Sequence, residues 1–435
     1  MKTINRESIE QDIIQSVETL RDASVALLGE LIAQPSLLGQ EESAQAVMAR
    51  VFGDELGLEV QALTIDEDSI KDHPGYSPSL VSYDGRVNII GTHQPSVEKG
   101  KSIIFNGHID VVPVGDERLW SRPPFEAWVD GDKLFGRGAS DMKAGIVSYV
   151  MAFKALKTLG FEPAAKVILQ SVIEEECTGN GALACLVAGH TADAAIITEP
   201  TAGLMTCQMG VLWLSLEISG KPAHAAMATQ GCSAVDFALA MFAGLKTLEG
   251  EWNEPENRHH CYAHHPKPIN FNLGKIQGGE WTSSVPSMCR LDIRIGFYPQ
   301  KTLAQIKTEI EAKLEEVFRA HPHHASTHYA VGYRGFQAQG CEIDMNQPVI
   351  TSLQSTYADV IGKTLPLVTF EGATDARFFN LYGGIPATCF GPAGGSIHGI
   401  DEWVSIDSML DVTKVLAVFM ARWCGLNLVE TKKPD

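Results

Sequence analysis

Four short aliphatic and β-branched runs constrain the fold of this chain more than any other feature: 102–106 (SIIFN), 167–173 (VILQSVI), 194–198 (AAIIT) and 385–390 (IPATCF). Each is apolar on both faces and stops at a glycine or a polar cluster. Helical patterns such as 144–159 (AGIVSYVMAFKALKTL) lie between them. Strands of this kind interleaved with helices predict a mostly parallel sheet covered on both sides, an α/β/α arrangement. Ahead of them, residues 8–35 read as one helix, with Ile9, Ile13, Val17 and Leu20 at helical spacing.

The middle of the chain differs. An alternating strand at 211–218 (VLWLSLEI) is followed by a helix at 233–248 and alternating runs near 269–277 and 285–295. A helix at 302–319 and a last run near 326–336 complete the set. The order β-α-β-β-α-β is that of a ferredoxin-like unit. The expected organisation is a main domain in two parts, 1–210 and 339–435, with a dimerisation or lid domain inserted at 211–338. Hinge points are expected near 211 and 340, and a chain of 435 residues has ample material for both cores.

Composition narrows the partners. A net charge of −19 disfavours nucleic acid and anionic membrane surfaces. No stretch approaches the roughly 18 apolar residues of a membrane span, and the polar N-terminal segment is unlike a secretory signal. Nine cysteines without CxxC spacing suit reduced thiols in a cytoplasm.

Polar groups gather where the predicted parallel strands end. The first run leads into His108-Ile109-Asp110, the second into Glu174-Glu175-Glu176, the third into Glu199, and the fourth through glycines to His398. Ligands of open α/β sheets collect at that edge, and these residue types are metal donors with oxygen predominating. In His108-x-Asp110 the two side chains share a side, so Asp110 can accept a hydrogen bond from the ring nitrogen that faces away from a metal. A buried pair that merely holds a loop is the alternative. Asp141, in GRGASDMKAG (136–145), precedes a helix and reads either as its N-cap or as a carboxylate bridging two cations. Three successive glutamates repel one another unless a positive charge sits among them; otherwise they form a solvated face.

The segments GHIDVVP (107–113), GRGASDMKAG, EEECTGNG (174–181), TEPT (198–201), SGKPAHA (219–225) and GSIHGIDE (395–402) closely resemble a family of dizinc amidohydrolases and exopeptidases. Acetylornithine deacetylase, succinyl-diaminopimelate desuccinylase, aminoacylase and glutamate carboxypeptidase belong to it. The resemblance spans nearly the whole chain and is closest to the acetylornithine deacetylase branch. It implies that His108, Asp141 and Glu199 ligate one metal and that Asp141, Glu176 and His398 ligate the other, with Asp141 as the bridge. Glu175 matches the general base and Asp110 the partner of the first histidine. His224 matches a histidine that reaches the active site of the other subunit in a homodimer. Arg294 matches an arginine that binds a substrate carboxylate. Apart from the resemblance, Arg377, beside Asp375 in GATDARFF, reads either as a second candidate for that task or as a surface salt bridge or helix-start contact.

This chain departs from the family at Glu174, where Asp is more usual. Glu199, rather than Asp, points toward the N-acyl amino acid branches. With one imidazole per metal and otherwise carboxylates, Zn²⁺ is the expected occupant, with Co²⁺ and Mn²⁺ as alternatives. The expected activity is hydrolysis of the amide of a small N-acyl amino acid by a metal-bridging hydroxide with Glu175 as base. A metallo-exopeptidase acting on dipeptides or short peptides is the alternative. Two histidine-rich stretches, His259, His260, Cys261, His264 and His265 and then His321, His323, His324 and His328, could each form a metal site, but read rather as exposed loops. Cys177 reads as packing.

Overall fold

The four β-branched runs form the parallel part of a six-stranded sheet in the computed structural model, which describes residues 6–429. The strand order is Glu59–Thr64, Val87–His93, Val167–Val172, Ile103–His108, Ala195–Ile197 and Ala387–Cys389. The last four run parallel, and the first two add an antiparallel edge. Every residue of Ile103–His108 and Val167–Val172 is buried. A strand sealed on both faces needs cover on both, and helices such as Ala144–Thr158 and Ile406–Trp423 contribute their buried faces to the same core.

The predicted helix over 8–35 is two helices, Arg6–Thr19 and Arg21–Ile32. Leu20 leaves the helical basin (φ −92°, ψ 4°), and the apolar periodicity carries no sign of it.

The inserted unit has its own apolar core, assembled from Cys207 to Leu314. Its strands, in the order Phe271–Gly278, Met288–Phe297, Gly210–Ser219 and His328–Gly332, are all antiparallel neighbours. Helices Ala234–Asn253 and Leu303–Ala320 supply the apolar side chains opposite the sheet's inner face. This is the β-α-β-β-α-β order expected of a ferredoxin-like unit. Helix Leu303–Ala320 starts at a reciprocal capping box between Thr302 and Gln305.

A small sheet lies where the chain passes between the two cores: Leu204–Gln208 is flanked by Cys341–Glu342, antiparallel, and Leu367–Phe370, parallel. Among the described residues no helix is long and apolar enough to cross a membrane.

Candidate active site

The carboxyl ends of the parallel strands deliver their polar residues to one place. His108 closes the strand Ile103–His108. Glu174, Glu175 and Glu176 follow Val167–Val172, and Glu199 follows Ala195–Ile197. His398 arrives from the loop after Ala387–Cys389 with φ +61°, in the left-handed region that Ser396 and Asp401 also occupy. A loop folded this tightly turns the imidazole back over the sheet edge.

Asp141 is the centre of the group. Its Oδ1 lies 3.1 Å from His108 Nε2, and its Oδ2 lies 3.4 Å from His398 Nε2. Glu176 is 3.0 Å from His398 Nε2 through Oε2, and Glu199 Oε2 is 3.9 Å from His108 Nε2. Donor atoms of His108, Glu175 and Glu199 converge within 4.8 Å of one another, as do those of His108, Asp141 and Glu176. Glu175 thus stands beside His108 and Glu199, and the carboxylate that faces both histidines is Asp141.

The electrostatics are those of excess negative charge held out of water. Burial alone favours neutral imidazoles, yet Asp141, Glu199 and Asp110 raise His108 well above its ordinary value. His398, against the same pull of burial, is pushed up to about 11 by Glu176 and Asp141. Burial and then neighbouring carboxylates raise Glu175 and Glu199 well above the usual carboxylate range. Glu175 Oε1 is buried without a hydrogen-bond partner. An orphaned carboxylate oxygen among clustered Asp, Glu and His donors is the environment that divalent cations satisfy.

Supporting residues fix this geometry, and several carry no sequence signal. Glu402 accepts from the main-chain N–H groups of Gly138, Ser140 and Asp141, at 3.0, 2.9 and 2.9 Å, and from Arg137. It lies inside the GSIHGIDE segment, and only the fold reveals what it holds. Arg86 is buried between Glu41 and Glu174, and Tyr83 and Thr178 donate to the second oxygen of Glu174. Glu174, at φ +67°, is therefore a structural carboxylate that holds the start of the glutamate loop, which explains a longer acid at this position. Lys143 donates to the carbonyls of Leu31 and Gln34, and burial lowers it to about 7. Asp375 is buried with neither oxygen hydrogen-bonded, Arg377 Nη1 standing 4.0 Å from its Oδ1, and burial raises it to about 6.

Two predicted contacts are corrected. Asp110 Oδ1 is 3.7 Å from His108 Nδ1, and the Asp110 main-chain oxygen, at 2.9 Å, is the ring's partner. The carboxylate instead accepts the N–H groups of Glu175 and Glu176, both at 3.2 Å, which hold it away from the ring. Arg377 is 1% exposed, and its donors go to the carbonyls of Thr374 and Thr178 while it stacks on Phe378. It pins two walls of the site together and has no open face for a substrate carboxylate. In the stretch His259–Cys261, read as an exposed loop, His260 is exposed and the group gathers against Glu342.

The remaining candidates lie in the inserted unit. Arg294 is half-buried and donates to the Glu371 carbonyl at 2.7 Å. His224 is exposed at the start of Ala225–Gln230, where its Nδ1 accepts from Ala226, and it does not join the Asp141 group within this chain. His321 stacks on Phe237, with ring centroids 3.9 Å apart, rather than meeting acidic partners. Cys177 is buried, and burial and Glu174 raise its thiol well above the ordinary value.

Residues 104–422 match the family model described as peptidase family M20/M25/M40, and the chain belongs to that family. The resemblance read from the sequence was to these same amidohydrolases and exopeptidases. Over 441 aligned residues it is 26% identical to an N-formyl-4-amino-5-aminomethyl-2-methylpyrimidine deformylase of Halalkalibacterium halodurans, covering 97% of this chain and 99% of that one. Among solved structures it resembles the dipeptidase Dug1p of Saccharomyces cerevisiae, with a TM-score of 0.79, 13% identity, and 98% and 99% of the two chains covered. It also resembles the Bacillus subtilis YXEP protein, described as a dinuclear metal binding peptidase of the M20 family. There the TM-score is 0.59 and the identity 14%, over 94% and 99% of the chains.

Proposed function

We propose that this M20 chain is a dinuclear metal-dependent amidohydrolase that removes a small acyl group from an amine. The carrying observation is the placement of Asp141, with one oxygen toward His108 and the other toward His398. His108, Asp141 and Glu199 would hold one cation and Asp141, Glu176 and His398 a second, with Zn²⁺ preferred over Co²⁺ or Mn²⁺. Bound there, divalent cations supply Lewis-acid polarisation of the amide carbonyl and acidify a water. Glu175, buried and with a free oxygen, takes the proton of the attacking water and returns it to the leaving nitrogen. Asp110 holds the main chain at Glu175 and Glu176 and so sets where both carboxylates stand.

Arg377 is not the group that holds an acidic amino acid, since its guanidinium donors are occupied. The name of the Halalkalibacterium relative favours a formamide on an aminomethyl-pyrimidine. An N-acyl amino acid is the second reading, with half-buried Arg294, on strand Met288–Phe297 of the inserted unit, as the candidate for its carboxylate. Hydrolysis of N-formyl aminopyrimidine, N-formyl, N-acetyl and N-succinyl amino acids and a dipeptide by metal-loaded protein tests both. Preference for the formyl aminopyrimidine supports the first reading and preference for an acyl amino acid the second. Turnover of the dipeptide alone overturns both in favour of an exopeptidase.

Exposed His224 suits delivery to a second copy, so the working form is proposed to be a homodimer joined through the inserted unit. Mixed His224→Ala and Glu175→Ala proteins then recover part of the activity that each lacks; no recovery over either alone refutes exchange of His224. Nine unpaired cysteines fit a cytoplasmic setting.

A further inference from the structure

Away from the Asp141 group, two imidazoles, a thiol and a carboxylate converge. His259, His260 and Cys261 form the turn after helix Ala234–Asn253 of the inserted unit. Glu342 comes from the small sheet between the two cores, where it pairs with Cys207. Glu342 Oε2 lies 3.1 Å from His260 Nε2 and 3.8 Å from His259 Nε2. Cys261 Sγ lies 3.7 Å from His260 Nδ1. Taking one donor atom from each residue, the four lie within 4.8 Å of one another. Tetrahedral zinc, with bonds of about 2.0–2.3 Å, spaces its donors roughly 3.3–3.8 Å apart, so modest rotamer changes close the gap.

We propose that His259, His260, Cys261 and Glu342 form a second divalent-metal site of zinc type, which ties the inserted unit to the small sheet beside the main core. Two neutral imidazoles, one thiolate and one carboxylate carry the two negative charges that balance the cation. Binding releases the Cys261 thiol proton to solvent. Ligation by His259 through Nε2 places its ring proton on Nδ1, so the 3.3 Å contact from the Cys261 N–H to that nitrogen is given up. Cys207 is buried against the Cys261 thiol and can donate to the resulting sulfur, the supporting contact that metal thiolates commonly have. An ordinary ion pair accounts for Glu342 with His260 and leaves the convergence of the thiol unexplained. Next to this cluster the Tyr262 hydroxyl donates to the Phe370 carbonyl at 2.8 Å, so the turn already rests on the small sheet.

The two sites differ in one spectroscopic property. The Asp141 group offers only nitrogen and oxygen donors, whereas this one contains sulfur. The full chain, reduced and freed of metal, is titrated with Co²⁺. The wild type is expected to develop a thiolate-to-cobalt charge-transfer band in the near ultraviolet, together with one equivalent of metal beyond the nitrogen- and oxygen-ligated sites. Cys261→Ser loses both the band and that equivalent. Glu342→Gln, at a half-exposed position that does not endanger folding, weakens the band-forming affinity at least about tenfold. A cobalt-saturated wild type without the band overturns the proposal, and so does a band unchanged in both variants. Failure of acyl-amide hydrolysis leaves this test unaffected, because neither readout uses turnover.

Discussion

Glu402 holds Asp141 by its main chain: Glu402 Oε1 accepts the Asp141 N–H at 2.9 Å, across 261 positions of sequence. The same oxygen takes the Ser140 N–H at 2.9 Å and the other oxygen takes that of Gly138 at 3.0 Å, so one carboxylate braces the turn that aims Asp141, the proposed bridge. Glu402→Ala frees that turn. The expected cost is about 10–100-fold in metal affinity, the usual effect of losing a support behind a ligand. Titration against a zinc buffer measures it, and an unchanged affinity means the turn holds itself.

Glu175→Gln removes the base and keeps the shape. Turnover is expected to fall by roughly 10²–10⁴, the usual scale of general base catalysis, with bound metal retained. Steady-state kinetics with metal analysis checks this. Turnover near that of the wild type removes Glu175 from the proton transfer.

Arg86 lies between Glu41 and Glu174 with all three side chains buried. Arg86→Met strands two buried carboxylates and is expected to cost about 3–5 kcal/mol. Arg86→Lys restores the charge without the forked donor geometry and recovers only part of the loss. Urea unfolding of both variants ranks them; equal stability to wild type contradicts the role assigned to this triad.

In the inserted unit Glu249 is buried against Lys246, Lys267 and the Phe271 N–H, the last at 2.6 Å. Burial alone would raise its carboxyl, and these donors hold it below the ordinary value instead. The stability it adds is therefore present above the unfolded-state pKa of about 4.3 and is lost as pH falls through the lower folded value. Thermal melts of wild type and Glu249→Gln should differ at pH 7 and converge on acidification below about pH 4. A gap that widens with acid has the wrong sign for this account.

The runs that became the parallel strands were readable because burial on both faces leaves an uninterrupted apolar signature. The ligand candidates were readable because they follow those runs directly. What spacing could not show is which distant residue supports each of them. Glu402 with Asp141, Arg86 with Glu174 and Glu342 with His260 are long-range pairings, and no local pattern joins their members. Arg377 misled because a guanidinium near Asp375 reads the same whether it faces a substrate or two backbone carbonyls. Asp110 misled because the alternation of an extended strand was carried past the strand's end.

The most direct test of the account is an anomalous difference map at the zinc edge, from crystals of the reduced protein grown with Zn²⁺. Two peaks are predicted at the sheet edge, one on each carboxylate oxygen of Asp141, the first beside His108 and Glu199 and the second beside Glu176 and His398. One peak only, or none touching Asp141, contradicts the bridging arrangement from which the proposed hydrolysis follows.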